Sequence, residues 1–358
     1  MNLRERLNRK YNNLILYLSF AILKLSQHKD LKLPYSNLNF TVHKIIYDDR
    51  CIVQSNTESP IKVDLYFGHE VYTQSNDLRS YLHNILDEEA SRIFGLQKLF
   101  SAAQLRYDVT FFDIGANYGT YSLPAAESDI HAILVEPNPF VCACLSRTYR
   151  DKNVTIVNKA IVDSGTAALD SEISINLMPS LSGSSSVSSQ IVREENTQYE
   201  VFELEVECVT IDELCLLADA SSDFGVFKID IEGLELKLFK DDLINKIRSR
   251  FEHFVLMVEY VPAVMSENEA KDLRNYLTEL PTIILSDKNY RFNHRHLSKN
   301  FSSFGALGAQ DIKLKHIFNE LKLLSKKEAA AKLKQVTYAD VLVFSSKDLA
   351  EQLLAGFD

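Results

Sequence analysis

The sequence predicts an α/β protein whose main domain is a doubly wound, mostly parallel sheet with an antiparallel closing strand. From Val109 onward, apolar segments of strand length alternate with segments of helical periodicity, which is typical of this class. The stretch Val109 to Ser122 (VTFFDIGANYGTYS) runs from a strand through an acid and a glycine turn into a helix start. This order of elements builds the ligand site of α/β sheets. The last apolar segment, Tyr338 to Phe344, is expected to add antiparallel to the sheet.

Residues 1–100 are predicted to form an N-terminal α+β extension rather than a second catalytic domain. A helix is expected over about Leu3 to Leu25, whose apolar run Leu14 to Leu23 is too short to span a bilayer. No small-residue cleavage site follows this run, so the interpretation is an amphipathic helix rather than an export signal. The helix is expected to pack on the domain or to lie against a partner or a membrane surface. Small antiparallel strands are expected at Asn39 to Tyr47, Cys51 to Val53 and Ile61 to Phe67, and a helix at Ile85 to Leu99.

Residues 101–358 are predicted to form the main domain. Parallel strands are expected at Val109 to Asp113, His131 to Glu136, Val154 to Asn158, Phe224 to Ile229 and His253 to Tyr260. Helices are expected at Tyr118 to Glu127, Phe140 to Tyr149, Ile211 to Ala218, Leu234 to Lys246, Ser266 to Leu280 and about Leu314 to Lys334. An insertion before the fourth strand has strand patterns at Leu169 to Leu177 and Tyr199 to Cys208. Its Ser/Gly-rich run, Ser180 to Gln190, is either a mobile loop beside the site or a spacer.

Composition limits the partners and the compartment. A net charge of -10 disfavours nucleic acid as a partner, because a phosphate backbone is bound by excess positive charge. The five cysteines are odd in number and never have C-x-x-C spacing, so neither a disulfide framework nor a zinc site is expected. The sequence therefore predicts a reducing, cytoplasmic compartment, no transmembrane segment and no bound metal.

Every predicted core strand ends near an acid. These acids are Asp113, Glu136, Asp163, Asp230 with Glu232, and Glu259. In a parallel sheet the carboxyl ends of the strands share one edge, where ligands bind. Each acid alone is also explained by helix capping, but five strands agreeing on one edge favour a binding site.

The glycine turn and Glu136 indicate a nucleoside ligand without phosphate. Gly115 allows a backbone conformation closed to other residues, and Gly119 allows close approach to the first helical turn. Glu136 ends the second strand, where an acid accepts hydrogen bonds from the two hydroxyls of an adenosine ribose. The pattern D-x-G-x-N-x-G replaces the middle glycine of a dinucleotide motif by Asn117, and Asp113 would repel a pyrophosphate. S-adenosylmethionine, with an ammonium and a carboxylate at one end, suits this loop.

Successive motifs of the sequence resemble those of FkbM-type methyltransferases. They are FDIGANYGTYS (Phe112 to Ser122), VEPNP (Val135 to Pro139), NKAIVD (Asn158 to Asp163), VTIDEL (Val209 to Leu214), FKIDIEGLE (Phe227 to Glu235) and VEY (Val258 to Tyr260). The resemblance covers about Asp87 to Tyr260. It implies a class I methyltransferase fold that uses S-adenosylmethionine to methylate a hydroxyl, usually on a sugar or another small metabolite.

The residues of these motifs that are expected to bind the cofactor are Asp113, Gly115, Asn117, Gly119, Ser122, Glu136, Pro137, Asn138, Ala160, Asp163 and Asp230. The catalytic candidates are Asp230, Glu232, Glu259 and Lys228. Asp230 is the first candidate for the general base or for the group that orients the acceptor hydroxyl. Lys228 should face the same side of its strand as Asp230 and pair with a neighbouring acid.

Alternatives remain open for several of these residues. The Asp230 and Glu232 pair is also explained by helix capping or by a divalent cation that lowers the acceptor pKa. His253 begins its strand at the end away from the site and is expected to be structural. The basic patch Arg291 to His296 is either a solvated loop or a substrate contact.

Two other function classes share part of the pattern. A nicotinamide-dependent oxidoreductase would share the strand, glycine turn and ribose acid, but the G-x-G-x-x-G motif is missing. A non-catalytic interaction module of the same fold is expected to have damaged loop residues, and those of this sequence are intact.

Overall fold

The computed structural model describes residues 30–35, 38–44, 51–55, 61–64, 70–73, 90–177, 201–286 and 322–355. The predictions for the helix Leu3 to Leu25, the run Ser180 to Gln190 and the patch Arg291 to His296 lie outside these residues. The strands within them are β1 (Asp30–Tyr35), β2 (Leu38–Lys44), β3 (Cys51–Ser55), β4 (Ile61–Asp64), β5 (Glu70–Thr73), β6 (Val109–Ile114), β7 (His131–Val135), β8 (Val154–Val157), β9 (Ala160–Ile161), β10 (Glu172–Leu177), β11 (Phe202–Val209), β12 (Phe224–Ile229), β13 (His253–Tyr260), β14 (Thr282–Ser286) and β15 (Ala339–Phe344). The α-helices are α1 (Ala90–Gln104), α2 (Leu123–Glu127), α3 (Pro139–Thr148), α4 (Ser164–Leu169), α5 (Ile211–Cys215), α6 (Glu235–Lys240), α7 (Leu243–Arg250), α8 (Glu267–Leu277), α9 (Lys326–Leu333) and α10 (Lys347–Ala355).

The central sheet has seven strands in the order β14, β15, β13, β12, β6, β7 and β8. β6, β7, β8, β12 and β13 are parallel, whereas β15 pairs antiparallel with both β13 and β14. The α/β class and the antiparallel closing strand are therefore confirmed. β12 and β13 have their predicted bounds, and the ends of β6, β7 and β8 each differ from prediction by one residue.

The remaining strands form small sheets. In the extension, β1, β2 and β3 are antiparallel, as are β4 and β5, which confirms the predicted small strands. β1 and β5 were not predicted; β1 contains Pro34 and lies at the edge of its sheet, where proline is tolerated. In the insertion, β11 pairs with β10 and β9. β10 begins later than predicted because α4 occupies Ser164–Leu169.

Several predicted helices have different bounds in the structure, and two of them differ because left-handed residues interrupt them. The predicted helix Leu234 to Lys246 is divided into α6 and α7, since Asp242 has a φ of 63° and cannot continue a right-handed helix. The predicted helix Tyr118 to Glu127 starts only at Thr120, as a 3₁₀ turn that leads into α2, because Gly119 has a φ of 75°. None of the helices in the described ranges is long and apolar enough to cross a membrane.

The sheet carries a hydrophobic core on each face. The first face packs against α1, α2, α3 and α10, and its strands contribute buried residues such as Phe111, Val226 and Val255. The second face packs against α5 to α9 and includes Phe112 and Phe227, whose rings stack with centroids 4.3 Å apart. These two faces hold the parallel strands in register, so that their carboxyl ends form one edge. β15 runs the other way and brings its first residues to the same edge.

Candidate active site

The loop after β6 is built around two glycines in left-handed conformation. Gly115 has a φ of 77°, and a Cβ there would overlap the backbone carbonyl oxygen of Asp230. At Gly119, a Cβ would lie 2.7 Å from the ring of Tyr149, whose hydroxyl donates a hydrogen bond to the Gly119 carbonyl. A side chain at either position would push the loop away from its neighbours. The expected backbone conformation of Gly115 and the expected close approach at Gly119 are thereby confirmed, whereas cofactor contacts by both glycines stay predictions.

Asp113 and Lys228 form the buried floor of this edge. The Ser122 hydroxyl donates to Asp113 Oδ2 at 2.7 Å, and Lys228 Nζ lies 3.5 Å from Asp113 Oδ1. Burial raises the pKa of Asp113, while Lys228 and Ser122 act in the opposite direction. Lys228 Nζ also donates to the Gly115 carbonyl at 2.9 Å and lies 3.2 Å from Asp230 Oδ2. The predicted pairing of Lys228 with neighbouring acids is confirmed.

Glu136 directly follows β7 and connects the end of this strand to the glycine loop. Its Oε2 accepts a hydrogen bond from the Asn117 backbone N–H at 2.9 Å, and its Oε1 accepts one from Asn138 N–H at the same distance. Asn117 itself has a positive φ of 48°. Burial raises the pKa of Glu136 to about 7, against the lowering effect of these two amides. Each carboxylate oxygen retains a second lone pair, so Glu136 has capacity to accept hydrogen bonds from a ligand.

The segment after Glu136 is fixed by proline and by hydrogen bonds. Asn138 caps α3 by accepting from the Phe140 N–H at 3.0 Å, and Pro139 occupies the first helical position. The Asn158 side chain donates to the backbone carbonyls of Glu136 and Pro137 at 3.0 and 2.9 Å. The Glu136 carboxylate is thus held in a rigid turn.

Ala160 and Asp163 lie farther along the chain, beside the insertion. Ala160 is buried in β9, where it pairs with Cys208 of β11. Asp163 caps α4, accepting from the Thr166 N–H at 2.9 Å and the Thr166 hydroxyl at 2.7 Å. Although burial opposes it, these hydrogen bonds lower the pKa of Asp163. Capping occupies this carboxylate, and cofactor contacts by both residues stay predictions.

The turn after β12 is held by Glu235, which the sequence analysis did not select as a site residue. The Glu235 carboxylate accepts from the N–H groups of Ile231 and Gly233, each at 3.0 Å. Glu232 and Gly233 both have positive φ values, 52° and 97°. Burial raises the pKa of Glu235 to about 7. The signal in the sequence was the final acid of the FKIDIEGLE motif, which places a carboxylate at the first position of α6.

Arg92 and Asp340 were also missed, and they extend the site along the edge. Arg92 Nε lies 2.7 Å from Asp340 Oδ2, and Arg92 Nη1 donates to the Tyr121 hydroxyl at 3.3 Å. Asp340 lies opposite Glu259 in the antiparallel pair of β15 and β13. Neither residue belongs to a motif of the sequence, so only the tertiary structure reveals their position.

The assembled edge contains carboxylates, two buried cations and a loop of backbone amides. Asp113 stands beside the glycine loop, where a dinucleotide fold places a phosphate, whereas Glu136 stands where such a fold places its ribose-binding acid, so these residues suit a nucleoside ligand without phosphate at the loop. In the part of the chain that the structure describes, no group of three or more His, Cys, Asp and Glu residues is arranged to hold a metal ion. The edge can hold a nucleoside, and its carboxylates can accept a proton from a hydroxyl.

Comparison with known proteins gives one family match. The model of the methyltransferase FkbM domain matches residues 113–292, which is half of the 358-residue chain. None of the curated proteins compared with the sequence matches it.

Solved structures give distant likenesses. Spermidine synthase from Thermotoga maritima is 10% identical, with 91% of this chain and 87% of that chain covered and a TM-score of 0.34. The tRNA (uracil-54, C5)-methyltransferase of Pyrococcus abyssi is 10% identical, with 86% and 59% covered and a TM-score of 0.35. An O-methyltransferase from a polyketide multienzyme of Brevibacillus brevis is 12% identical, with 78% and 85% covered and a TM-score of 0.32. Likenesses this distant carry no argument about function.

Proposed function

Because this chain belongs to the FkbM family of methyltransferases, we propose that it transfers a methyl group from S-adenosylmethionine to a hydroxyl of a sugar, a glycan or a small metabolite. The observation that supports hydroxyl methylation most is the Asp230 carboxylate, which lies 3.2 Å from Lys228 at the carboxyl end of β12. It adjoins the glycine loop, because the Asp230 carbonyl lies against Gly115. An ionised carboxylate next to the methyl donor is the group that an alcohol acceptor needs.

The methyl donor is assigned to the part of the edge formed by the loop after β6 and by Glu136, which we call the donor half. Glu136 would bind the ribose hydroxyls through the free lone pairs of its carboxylate. The loop from Asp113 to Gly119 would hold the methionine end, where Asp113 suits the ammonium group. The bound cofactor supplies a methyl group on a positively charged sulfonium. Ser122, Pro137, Asn138, Ala160 and Asp163 remain predicted contributors to the same half.

The acceptor is assigned to the part of the edge around Asp230, Glu232 and Glu259, which we call the acceptor half. Lys228 Nζ lies 3.2 Å from Asp230 Oδ2, and a cation at this distance favours a carboxylate that can accept the proton of an acceptor hydroxyl. Lys228 is buried between Asp113 and Asp230 and bonded to the Gly115 carbonyl, so the role proposed for it is to position Asp230 rather than to accept the proton. Glu232 and Glu259 stand beside Asp230 and would contact the acceptor. Positioning of the acceptor oxygen in line with the methyl group supplies much of the remaining acceleration.

Binding and transfer test this function separately. Calorimetric titration with S-adenosylmethionine, S-adenosylhomocysteine and NAD should give binding of the first two and none of NAD. Transfer is measured with S-adenosylmethionine carrying a radioactive methyl group against a panel of monosaccharides, oligosaccharides and hydroxylated metabolites. The expected product contains the label as an ether. Binding of NAD alone would overturn the proposal and favour the oxidoreductase, and a labelled nitrogen or carbon would overturn hydroxyl methylation.

A further inference from the structure

Three carboxylic acids stand side by side along the site edge. In the parallel pairing of β12 and β13, Ile229 lies opposite Val258, so the next position places Asp230 beside Glu259. Glu259 in turn lies opposite Asp340 across the antiparallel pair of β13 and β15. Neighbouring strands of a sheet lie about 4.8 Å apart, so residues opposite each other on one face are close together. The side chains of Asp230, Glu259 and Asp340 thus form a row in which Glu259 is central.

The two outer acids each have a buried cation. Asp230 lies 3.2 Å from Lys228 Nζ, and Asp340 lies 2.7 Å from Arg92 Nε. The side chains of Lys228 and Arg92 are only 7% and 13% exposed. Tyr121 connects the two cations: its hydroxyl accepts from Arg92, and Lys228 Nζ lies 5.1 Å from its ring centroid. Both cations favour the ionised form of the acid beside them.

The central acid has no such partner. Glu259 makes no hydrogen bond or ion pair with any other residue that the structure describes. It is partly buried, and the acid on each side of it has a cation close by. Adjacent carboxylates in a poorly solvated site do not all ionise, and the proton goes to the one without a cation.

We propose that Glu259 carries a proton at neutral pH and donates a hydrogen bond to an oxygen of the acceptor, whereas the ionised Asp230 receives the proton of the acceptor hydroxyl. This assignment rests on the proposed function and divides two roles between neighbouring acids. In other enzymes, two neighbouring acids in different environments likewise take different roles, one protonated and the other ionised. Glu259 then contributes a donor that orients the acceptor without competing for its proton.

The charged and titratable groups around Glu259 support a protonated Glu259. They are Asp230 and Glu232 after β12, Glu235 of α6, Asp340 of β15 with its partner Arg92 of α1, and Tyr338. Burial raises the pKa of Glu259 well above its ordinary value, and the carboxylates of Asp230, Glu232, Asp340 and Glu235 raise it further. Burial of Tyr338 and the charge of the neighbouring Asp340 raise the pKa of Tyr338, so its hydroxyl also stays neutral.

The proposed step balances without another reactant. The acceptor oxygen forms a bond to the methyl carbon while the carbon–sulfur bond breaks, and the electron pair of that bond neutralises the sulfonium. The hydroxyl proton moves to Asp230 and is released to water after the product leaves. Glu259 keeps its proton throughout and only donates a hydrogen bond.

The protonation state of Glu259 is measurable without an acceptor. The full chain is labelled with ¹³C at the glutamate side-chain carboxyl, and the Glu259 resonance is assigned by its loss in Glu259→Gln. Between pH 6 and 8 this resonance should keep the chemical shift of a protonated carboxyl. A carboxylate shift at pH 7 would overturn the proposal. Because S-adenosylhomocysteine binding is measured separately, failure here is distinguishable from failure of the proposed function.

Variants of the neighbouring acids test whether their negative charges keep Glu259 protonated. Asp340→Asn and Asp230→Asn each remove one negative neighbour, so each should lower the pH at which Glu259 loses its proton. Asp230 is 30% exposed, which makes Asp230→Asn the variant that keeps the test usable if Asp340→Asn does not fold. Glu252→Gln, at an exposed acid before β13, is the matched control and should leave the Glu259 titration unchanged. Equal titration of Glu259 in all three variants would overturn the proposal.

With an acceptor from the methylation panel, the hydrogen bond itself is tested. Glu259→Gln keeps an N–H donor, whereas Glu259→Met has a similar length and no donor. The Gln variant should be about tenfold more active than the Met variant, the ratio expected for one hydrogen bond of ordinary strength. Equal activities would overturn the donor role.

Discussion

At the carboxyl ends of the parallel strands, the two faces of the central sheet carry different kinds of side chain. On the second face, the strands stay apolar to their ends at Ile114, Ile229 and Tyr260. On the first face, the apolar columns end in charged residues: Asp113 follows Phe111, and Lys228 follows Val226. Successive side chains of a strand alternate between faces, so one strand end can stabilise the fold on one side and bind a ligand on the other. The comparison separates residues that hold the sheet from residues that act at its edge.

The largest effect is expected from Asp230→Asn on the first face. Asparagine keeps the size of the side chain and removes the base, so transfer to an acceptor that the wild type methylates should slow by about 10²–10⁴-fold. Affinity for S-adenosylhomocysteine, measured by calorimetry, should change much less. A transfer rate within a factor of two of wild type would remove Asp230 from the mechanism.

On the second face, Phe227→Ala should reduce stability rather than chemistry. Phe227 is fully buried, stacks on Phe112 and contacts Phe251 edge to face. Its truncation should lower the free energy of unfolding by about 3–5 kcal/mol in a urea titration. Phe140→Ala is the control, because that ring is 60% exposed and its loss should change stability by no more than about 0.5 kcal/mol. Similar losses in both variants would contradict the core assignment.

Glu136→Ala tests the donor half of the edge. Removal of this carboxylate leaves two ribose hydroxyls and two backbone N–H groups without their acceptor, so binding of S-adenosylhomocysteine should weaken by about 1–3 kcal/mol. Calorimetry of the variant beside Glu252→Ala, an exposed acid away from the loop, gives the comparison. Unchanged affinity would show that the ribose assignment is wrong.

The raised pKa of Glu136 also predicts a pH dependence. The group has a pKa of about 7 in the folded chain against 4.5 for an ordinary glutamate, so the folded state binds more protons between these values. Its contribution to stability is therefore fully present below pH 4.5 and is lost as the pH rises through 7. Ligand hydroxyls favour the ionised form, so affinity for S-adenosylhomocysteine should increase from pH 6 to 8. This increase should be smaller in Glu136→Gln, and an identical increase would assign it to another group.

The smallest effect is expected from Ser266→Ala, which removes the cap of α8 on the second face. The Ser266 hydroxyl accepts from the Glu269 N–H at 3.3 Å, within a capping box. Loss of this cap should lower the free energy of unfolding by about 1 kcal/mol. Affinity for S-adenosylhomocysteine should not change, and a weakened affinity would show that the two faces are not separable in this way.

Much of the donor half could be predicted from the sequence, because its residues lie in one continuous stretch or at strand ends. Gly115 and Gly119 are fixed by the local turn. Lys228, which lies between the two halves, reaches Asp113 and Asp230 because side chains alternate along β12. The role of Glu235 was less visible. Its carboxylate faces backward onto the N–H groups of Ile231 and Gly233, a contact that depends on two left-handed residues in between.

The acceptor half could be predicted only in part. Glu259 was identified as an acid at a strand end, but its state depends on Asp340 and Arg92, which no motif marks. The sequence predicted the antiparallel strand that carries Asp340 without its register. A shift of one residue would turn Asp340 to the other face, so the acid row depends on pairing that local patterns do not encode.

By itself, then, the amino-acid sequence determined the α/β class, the strands of the sheet, the glycine loop and the acids at the strand ends. These features follow from periodicity and turn chemistry, which act over a few neighbouring residues. Only the tertiary structure decided which cation serves which acid: Lys228 pairs with Asp113 and Asp230, and Arg92 of α1 pairs with Asp340 of β15. Electrostatic interaction depends on distance in space and on burial, and both arise only when segments far apart in the chain pack together.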